Sequence, residues 1–258
     1  DFLYKKRNNP DRIFMLSKTM IVLLSLLLGL LVYNWSRKVF GVEGAAISLL
    51  LYALSPTILA HSRLVNSDMA ATIGFIGSVW AIWHMMGKLT VARVLLASLW
   101  LSMLFLSKMS AFLIVPMFLI MLAVRLKTCP ELEVVLPGRI IKLRTQAAQL
   151  AAFLAAGVVN ALLIMFFIWM AFGFRYSMLN DDTGKREIMD RNWQELVKDS
   201  GMPGKVVSFA RQHRLLPEAY LYGFQFVMNR SKLRYAYLNG ESSLTGWWYF
   251  FPYACMVK

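Results

Sequence analysis

Residues 147–172 read AAQLAAFLAAGVVNALLIMFFIWMAF and contain no ionisable side chain. About 20 apolar residues in a helix cross the hydrocarbon core of a bilayer, so this stretch alone predicts a transmembrane helix. The whole chain shares this character, because 58% of its 258 residues are hydrophobic and only 16% are charged. A soluble globular domain carries about 25% charged residues. The sequence therefore predicts an integral membrane protein of the all-α class, a polytopic transmembrane helical bundle.

Other apolar stretches have the length of spanning or near-spanning helices, and a seventh begins near residue 247. The five others that precede it are residues 14–35, 44–60, 69–86, 91–107 and 110–124. We therefore expect a bundle of about six helices over residues 1–172, an extracytoplasmic segment over 173–246, and the start of a further helix over 247–258. The chain begins at Asp1 and stops at Lys258 within an apolar aromatic run, so we expect a piece of a longer protein.

The basic residues of alternate loops orient this bundle. The loops predicted to be cytoplasmic by the positive-inside rule contain Arg37, Lys38, Lys88, Arg93, Arg125, Lys127, Arg139, Lys142 and Arg144. The turns around Asp68 and Lys108 and the segment 173–246 then lie outside the cytoplasm, at the plasma (inner) membrane. The basic residues between Lys5 and Arg12 would also lie outside the cytoplasm, which disagrees with the positive-inside rule. We keep this orientation because the alternating loops all support it and only one end of the chain does not.

Charge and cysteine content exclude several functions. The net charge of +14 is spread over the ends of apolar runs, which indicates topology and lipid-phosphate contacts and no nucleic-acid binding. Cys129 falls in a cytoplasmic loop and Cys255 inside a helix, so no disulfide framework is implied. The sequence contains no Gly-rich phosphate loop, no His-Glu-x-x-His and no G-x-S-x-G. The sequence gives no evidence for a bound metal, and we expect no cofactor other than a co-substrate.

Asp68 is the only acidic residue between Glu43 and Glu131, and it ends the polar break His61-Ser62-Arg63-Leu64-Val65-Asn66-Ser67-Asp68. A charged group at membrane depth costs roughly 2.5 to 3.5 kcal/mol, so it usually faces a cavity, a partner or the interface. Two interpretations are open. Ser67 or Asp68 caps the following helix and does nothing more, or the carboxylate caps the helix and also contacts a substrate.

The neighbouring cations and polar residues also have two interpretations each. Arg63 either pairs with Asp68 or extends to headgroups, or it binds a lipid phosphate. Lys108 either extends to the interface or binds an anionic lipid or a substrate phosphate, and the second is favoured because no acidic residue is near it in sequence. His61 and Asn66 lie beside Asp68 in the same turn and are included as substrate-binding candidates.

The segment 173–246 combines a predicted amphipathic helix with many aromatic residues. The helix is predicted over residues 186–199, where one side contains Ile188, Met189, Trp193, Leu196 and Val197. Gly201, Pro203 and Gly204 are expected to break it. Aromatic residues are dense from Tyr220 to Tyr253. They form either an interfacial belt or a wall that binds sugar and lipid, and the belt explains Trp247 to Tyr253 better than it explains Tyr220 to Tyr237.

Four segments resemble a known family. Ala60-His61-Ser62-Arg63-Leu64-Val65-Asn66-Ser67-Asp68 resembles the "AHxRLVTxD" segment of the dolichyl-phosphate-mannose-protein mannosyltransferase-like membrane glycosyltransferases, and Leu106-Ser107-Lys108-Met109-Ser110-Ala111 is similar to their "LSK(F/Y)SA" segment. Residues 216–223 and residues 236–252 resemble bacterial members.

The resemblance implies a GT-C type fold and a reaction on the extracytoplasmic face. The implied donor is a polyprenyl-phosphate sugar, the acceptor a protein, lipid or glycan, and the anomeric configuration inverts. Lys108 and Arg63 would stabilise the phosphate leaving group, and a carboxylate would activate the acceptor. The resemblance adds further substrate-binding candidates: Glu218, Tyr220, Tyr222, Glu241, Trp247 and Trp248.

The family's main acidic motif would precede Asp1, so Asp68 matches its second acidic position and is expected to organise the acceptor or the active site. We do not expect this piece to turn over alone. The alternative function is a non-enzymatic polytopic protein such as a transporter or flippase subunit. It is less favoured, because transporters place ionisable groups near the midplane on broken helices, whereas the candidates here lie at one interface.

Overall fold

The structure is a computed structural model, and it describes residues 8–178, 193–198, 200–231 and 235–257. The chain divides into two compact units, Asp1–Phe167 and Ile168–Lys258. The first unit contains most of the long apolar helices. The second contains shorter helices and a small hairpin. Each is described by itself.

Four helical segments among the described residues are long and apolar enough to cross a membrane. They are α1 (Pro10–Leu54), α3 (Asp68–Gly87), the segment Met109–Thr128, and α6 (Gln146–Ala171). The segment Met109–Thr128 consists of a 3-10 turn, Met109–Leu113, followed by α5, Ile114–Thr128. The predicted all-α membrane bundle is therefore confirmed.

Two shorter helices complete the first unit: α2 (Pro56–His61) and α4 (Val91–Ser107). The predicted stretch 14–35 lies within α1, and the predicted stretch 44–60 is divided between the end of α1 and α2. Gly41 has a φ of 77° and a ψ of −172°, which interrupts the helical backbone of α1. The second break follows from Pro56, which favours an extended conformation at Ser55 and so ends α1 at Leu54.

Helix α3 lies at the centre of the first unit and packs against α1, α4 and α5. Two glycines of α3 allow α4 to approach closely. A Cβ on Gly74 would lie 3.1 Å from the Cα of Leu104, and a Cβ on Gly77 would overlap the ring of Trp100. Small residues at helix contacts are a common device of membrane proteins, where close van der Waals packing drives association. The α3–α4 pair is thus tightly packed along its length.

A three-stranded sheet lies next to the Gly87 end of α3. Its strands are β1 (Leu89–Thr90), β2 (Leu132–Leu136) and β3 (Arg139–Leu143), in the order β1-β2-β3, with β1 parallel and β3 antiparallel to β2. The sequence interpretation treated this region only as a basic loop. The turn of the hairpin contains Gly138 at a φ of 79°, a conformation that favours glycine.

Buried Arg125 joins this sheet to the helices. Its guanidinium donates hydrogen bonds to the carbonyl oxygens of Met86 (2.9 Å), Cys129 (3.0 Å) and Glu131 (2.8 Å). These carbonyls lie at or beyond the ends of α3 and α5, where backbone acceptors lack helical partners. Arg125, predicted only as a topology signal, therefore also has a structural role.

The second unit contains four described helices and a hairpin. The helices are α7 (Trp193–Lys198), α8 (Gly201–Gln212), α9 (Glu218–Arg230) and α10 (Phe250–Val257), and the strands are β4 (Ala236–Leu238) and β5 (Glu241–Ser243). Of the amphipathic helix predicted over 186–199, residues 193–198 are helical, and its start lies outside the described residues.

One prediction in this unit is wrong in detail. Gly201, Pro203 and Gly204 were expected to break a helix, yet they form the first turn of α8. Proline is tolerated there because a backbone N–H in the first turn has no helical acceptor. The interruption between α7 and α8 includes Ser200 instead, and Gly201 begins α8 at a positive φ of 57°.

Candidate functional site

Three helix ends bring polar residues together in the first unit. Asp68 is the first residue of α3, Lys108 follows the last residue of α4, and His61 ends α2. The Lys108 ammonium contacts the Asp68 carboxylate at Oδ1, and His61 Nδ1 lies 3.1 Å from Asp68 Oδ2. Both carboxylate oxygens of Asp68 therefore have a nitrogen partner.

Asn66 positions the start of α3. Its Oδ1 accepts a hydrogen bond from the Asp68 backbone N–H at 3.2 Å, and its Nδ2 lies 3.1 Å from His61 Nδ1. Ser67, the residue before the helix, makes no side-chain capping bond. The turn is therefore held by Asn66, and the Asp68 carboxylate extends to Lys108 and His61 outside its own helix.

The polar cluster is accessible to water. The side chains of Asp68, His61 and Lys108 are 32%, 36% and 43% exposed. An ion pair with this exposure contributes only about 0 to 1 kcal/mol to stability, so it can open for a ligand at little cost. Lys108 has no acidic neighbour in sequence, but the fold brings it into contact with Asp68, which lies 40 residues away.

Arg63 lies in the same turn as His61 and Asn66 but does not pair with Asp68. Its side chain is exposed, and among the described residues it makes no ion pair and no hydrogen bond. The interpretation that Arg63 neutralises Asp68 is therefore wrong, because Lys108 and His61 occupy that carboxylate. The charge of Arg63 remains available to an anion.

Three of the substrate-binding candidates in the second unit pack within it. Buried Glu218 accepts a hydrogen bond from the backbone N–H of Met178 (3.3 Å), and its carboxylate lies 3.5 Å from Arg211. Tyr220 is also buried, and this burial raises the pKa of its phenol to about 12. Tyr222 contacts the ring of Trp193 edge to face. These contacts favour packing roles for the three residues.

The remaining candidates are more accessible. Glu241 is exposed in β5, Trp247 is half-buried, and Trp248 is 90% exposed, which is unusual for so large an apolar side chain. Their substrate contacts stay a prediction. No three His, Cys, Asp or Glu residues cluster as metal ligands within the described ranges.

The comparisons with known proteins identify the class of this polar-ended helical bundle. The family model of the dolichyl-phosphate-mannose-protein mannosyltransferases matches residues 12–143, slightly more than half of the chain. The chain belongs to this family of membrane glycosyltransferases. The matched range includes His61, Arg63, Asp68 and Lys108. No curated protein and no solved structure matches the chain.

Family membership confirms the resemblance drawn from the two sequence segments that lie within residues 12–143, and it favours an enzyme over a transporter subunit. The structure agrees with that preference. Asp68 and Lys108 are in contact at one end of the bundle, whereas a transport site would place its ionisable groups near the middle of broken helices.

Proposed function

We propose that this glycosyltransferase moves a sugar from a polyprenyl-phosphate donor to a protein, lipid or glycan acceptor, with inversion at the anomeric carbon. The supporting observation is the Asp68–Lys108 pair with unpaired Arg63 beside it, at a water-accessible end of an apolar bundle. A lipid-linked donor requires a site at the membrane surface, where its phosphate can meet cations while its chain stays among lipid tails.

The reaction is proposed for the extracytoplasmic face of the plasma (inner) membrane. Helix α3 has 20 residues and is therefore about 30 Å long, so Asp68 and the sheet beyond Gly87 are separated by about the thickness of the hydrocarbon core. The sheet end is rich in basic residues: Lys88, Arg93, Arg125, Lys127, Arg139, Lys142 and Arg144. The positive-inside rule assigns this end to the cytoplasm, and Asp68 then faces outward.

Lys108 and Arg63 have the same role in this proposal, which is to stabilise the departing phosphate. The acceptor oxygen or nitrogen forms a bond to the anomeric carbon while the bond from that carbon to the phosphate oxygen breaks, and polyprenyl phosphate leaves with the electron pair. Cations placed where this charge develops lower the barrier more than they strengthen donor binding.

Asp68 is proposed to exchange partners during the reaction. When the donor phosphate attracts Lys108, the carboxylate oxygen Oδ1 loses its cation and can accept a hydrogen bond from the acceptor hydroxyl or amine. This contact orients the acceptor for attack on the opposite side of the sugar from the phosphate. Asp68 thus organises the acceptor in this proposal, and the proton of the acceptor passes to a second carboxylate that acts as the principal base.

The proposed organisation assigns residues 1–172 to the membrane bundle, residues 173–246 to an extracytoplasmic segment and residues 247–258 to the start of a further helix. Glu218, Tyr220, Tyr222, Glu241, Trp247 and Trp248 would then belong to the same side of the membrane as Asp68. The exposed face of Trp248 supports a sugar or lipid contact, because an aromatic face is a good platform for either.

The test is sugar transfer by the full-length protein in proteoliposomes. Transfer from a radiolabelled polyprenyl-phosphate sugar is measured for wild type, Lys108→Ala and Asp68→Asn. We expect rates at least about 100-fold lower for Lys108→Ala, the size of effect seen when one group that stabilises a developing anion is removed. Lys142→Ala is the matched control, since Lys142 is an exposed lysine at the opposite end of the bundle. Wild-type rates in both Asp68→Asn and Lys108→Ala would exclude the proposed site.

A further inference from the structure

The second unit contains an open cleft of about 1180 Å³. It lies between α7, α8 and the chain around Tyr176, and its lining includes Tyr176, Trp193, Lys198, Arg211, Arg214 and Glu218. Small-molecule sites usually measure about 300 to 1,000 Å³. The cleft therefore has room for more than a monosaccharide.

Two arginines of the cleft lie over aromatic rings. The Cζ atom of Arg211 is 4.5 Å from the centroid of the Trp193 ring, and that of Arg214 is 5.2 Å from the centroid of the Tyr176 ring. The Tyr176 hydroxyl donates to the Arg211 carbonyl oxygen at 3.0 Å, which holds this aromatic ring against α8. A guanidinium stacked on a ring keeps the N–H groups of its edge available for an anion.

The cleft lining contains three cations and two carboxylates, Glu195 and Glu218, so its positive charge is only partly neutralised. Arg211 lies 3.5 Å from the buried carboxylate of Glu218, but Arg214 and Lys198 have no acidic partner within the described part of the chain. Arg214 also has a φ of 50°, a conformation that is uncommon for residues other than glycine, asparagine and aspartate. A charged residue held in this conformation beside a cleft is a candidate for ligand contact.

The lining also contains groups that suit hydroxyls. The amides of Gln194 and Gln212 are exposed beside the arginines. Trp193 is only 7% exposed, and its indole N–H has no hydrogen-bond acceptor among the described residues.

We infer that this cleft binds an anionic carbohydrate, that is, a saccharide that carries phosphate or carboxylate groups. Aromatic rings match the apolar faces of sugar rings, amides match hydroxyls, and Arg214 with Arg211 matches the anionic group. The anion belongs either to an acidic acceptor glycan or to a free sugar phosphate, since the donor's own phosphate is assigned to Lys108 and Arg63. The choice between these sources rests on the proposed function, whereas the binding itself does not.

Binding is tested with the full-length protein in phosphatidylcholine nanodiscs by saturation-transfer NMR and calorimetry. The probes are trigalacturonate, mannose 1-phosphate, maltotriose as a neutral oligosaccharide, and inorganic phosphate. Saturable binding of trigalacturonate supports an acceptor glycan, and saturable binding of mannose 1-phosphate alone supports a free sugar phosphate. The inference is overturned if neither anionic sugar binds, if maltotriose binds equally well, or if inorganic phosphate binds as tightly as the anionic sugars.

The variants connect binding to this cleft. Arg214→Asn removes the charge and keeps a residue that tolerates a positive φ, so we expect Kd to rise about tenfold. The double variant Arg211→Gln with Glu218→Gln removes a buried carboxylate together with its cation and is expected to weaken binding similarly. Lys205→Asn is the control, because Lys205 is an exposed lysine of α8 outside the cleft lining. An unchanged Kd in Arg214→Asn, with an unchanged melting temperature, overturns the inference.

The two proposals fail separately. Lys108→Ala is expected to lower sugar transfer at least about 100-fold and to leave the binding of trigalacturonate unchanged. If that variant loses sugar transfer but wild type binds none of the probes, only the proposal about the cleft is excluded. Transfer at the wild-type rate in Lys108→Ala, together with binding that Arg214→Asn weakens, excludes only the catalytic site.

Discussion

Asp68 at the start of α3 and Lys108 at the end of α4 form an ion pair across 40 residues of sequence. The two helices are packed tightly through Gly74 and Gly77 of α3, so their adjacent ends are held in place by apolar contacts. The ion pair itself is therefore free to be used in catalysis, because it is not needed to hold the helices together.

This relationship leads to a prediction about stability. We expect Lys108→Ala and Asp68→Asn each to change the free energy of unfolding by less than about 1 kcal/mol, because the pair is partly exposed. A double-mutant cycle, measured by denaturation in detergent, should give a coupling energy of about 0 to 1 kcal/mol. A coupling of several kcal/mol would identify the pair as structural and would weaken the catalytic proposal.

Arg125 is expected to behave in the opposite way. Replacing Arg125 by alanine removes hydrogen bonds to the carbonyl oxygens of Met86, Cys129 and Glu131 and leaves these acceptors to find other partners. The unfolding free energy should fall by about 3 kcal/mol or more, since a charged donor is lost from a buried network. Lys127→Ala, at an exposed position two residues away, should change the unfolding free energy by no more than about 0.5 kcal/mol. Equal effects of the two substitutions would contradict the buried role.

The buried pair Ser98 and Asn160 connects α4 with α6. The Ser98 hydroxyl lies 2.7 Å from Asn160 Oδ1, to which it donates, and Asn160 also donates to the carbonyl oxygen of Ala156 at 2.8 Å. Interhelical hydrogen bonds in membranes contribute about 0.6 kcal/mol on average and at most about 1.7. We expect Asn160→Ala to destabilise the bundle by about that range in a steric-trapping or denaturant assay. Asn34→Ala is the control, because Asn34 is exposed and bonds only within its own helix.

Glu133 makes the stability of the sheet end depend on pH. Its carboxylate lies 3.0 Å from Lys88 and 3.6 Å from Lys142, and the hydrogen bond from Lys88 lowers the pKa of Glu133 below the ordinary value of 4.5. A lowered folded-state pKa stabilises the fold above the unfolded pKa and loses this contribution as pH falls through the folded value.

The melting temperature of wild type should therefore exceed that of Glu133→Gln at pH 7, and the difference should decline as the pH falls below 4.5 and through the lowered folded-state pKa of Glu133. Because Glu133 is exposed to water, the difference is expected to be small and to shrink in high salt. Glu241→Gln serves as the control, since Glu241 forms no ion pair within the described ranges. A difference that does not decline as the pH falls would show that the substitution acts through packing.

The long apolar helices were predictable because a helix is a local structure and the bilayer sets its length. Helices α3, α4 and α6 begin and end within one residue of the predicted stretches. The polar break from His61 to Asp68 was also identifiable as a candidate functional site, because placing a carboxylate among apolar residues costs free energy in any fold. The free-energy cost of a charge among apolar residues and the apolar length of a helix are properties of a short stretch of sequence. They do not depend on which elements pack together in the fold.

Only the tertiary structure decided which charges meet. Asp68 forms an ion pair with Lys108 and not with Arg63. Helix packing brings the end of α4 to the start of α3, whereas the Arg63 side chain is exposed. Packing of the elements also buries Arg125, and in the second unit it buries Glu218 beside Arg211. The Asp68–Lys108 pair joins residues that are distant in sequence. Composition and spacing therefore predicted a polar candidate site at a helix end, and packing selected this partner.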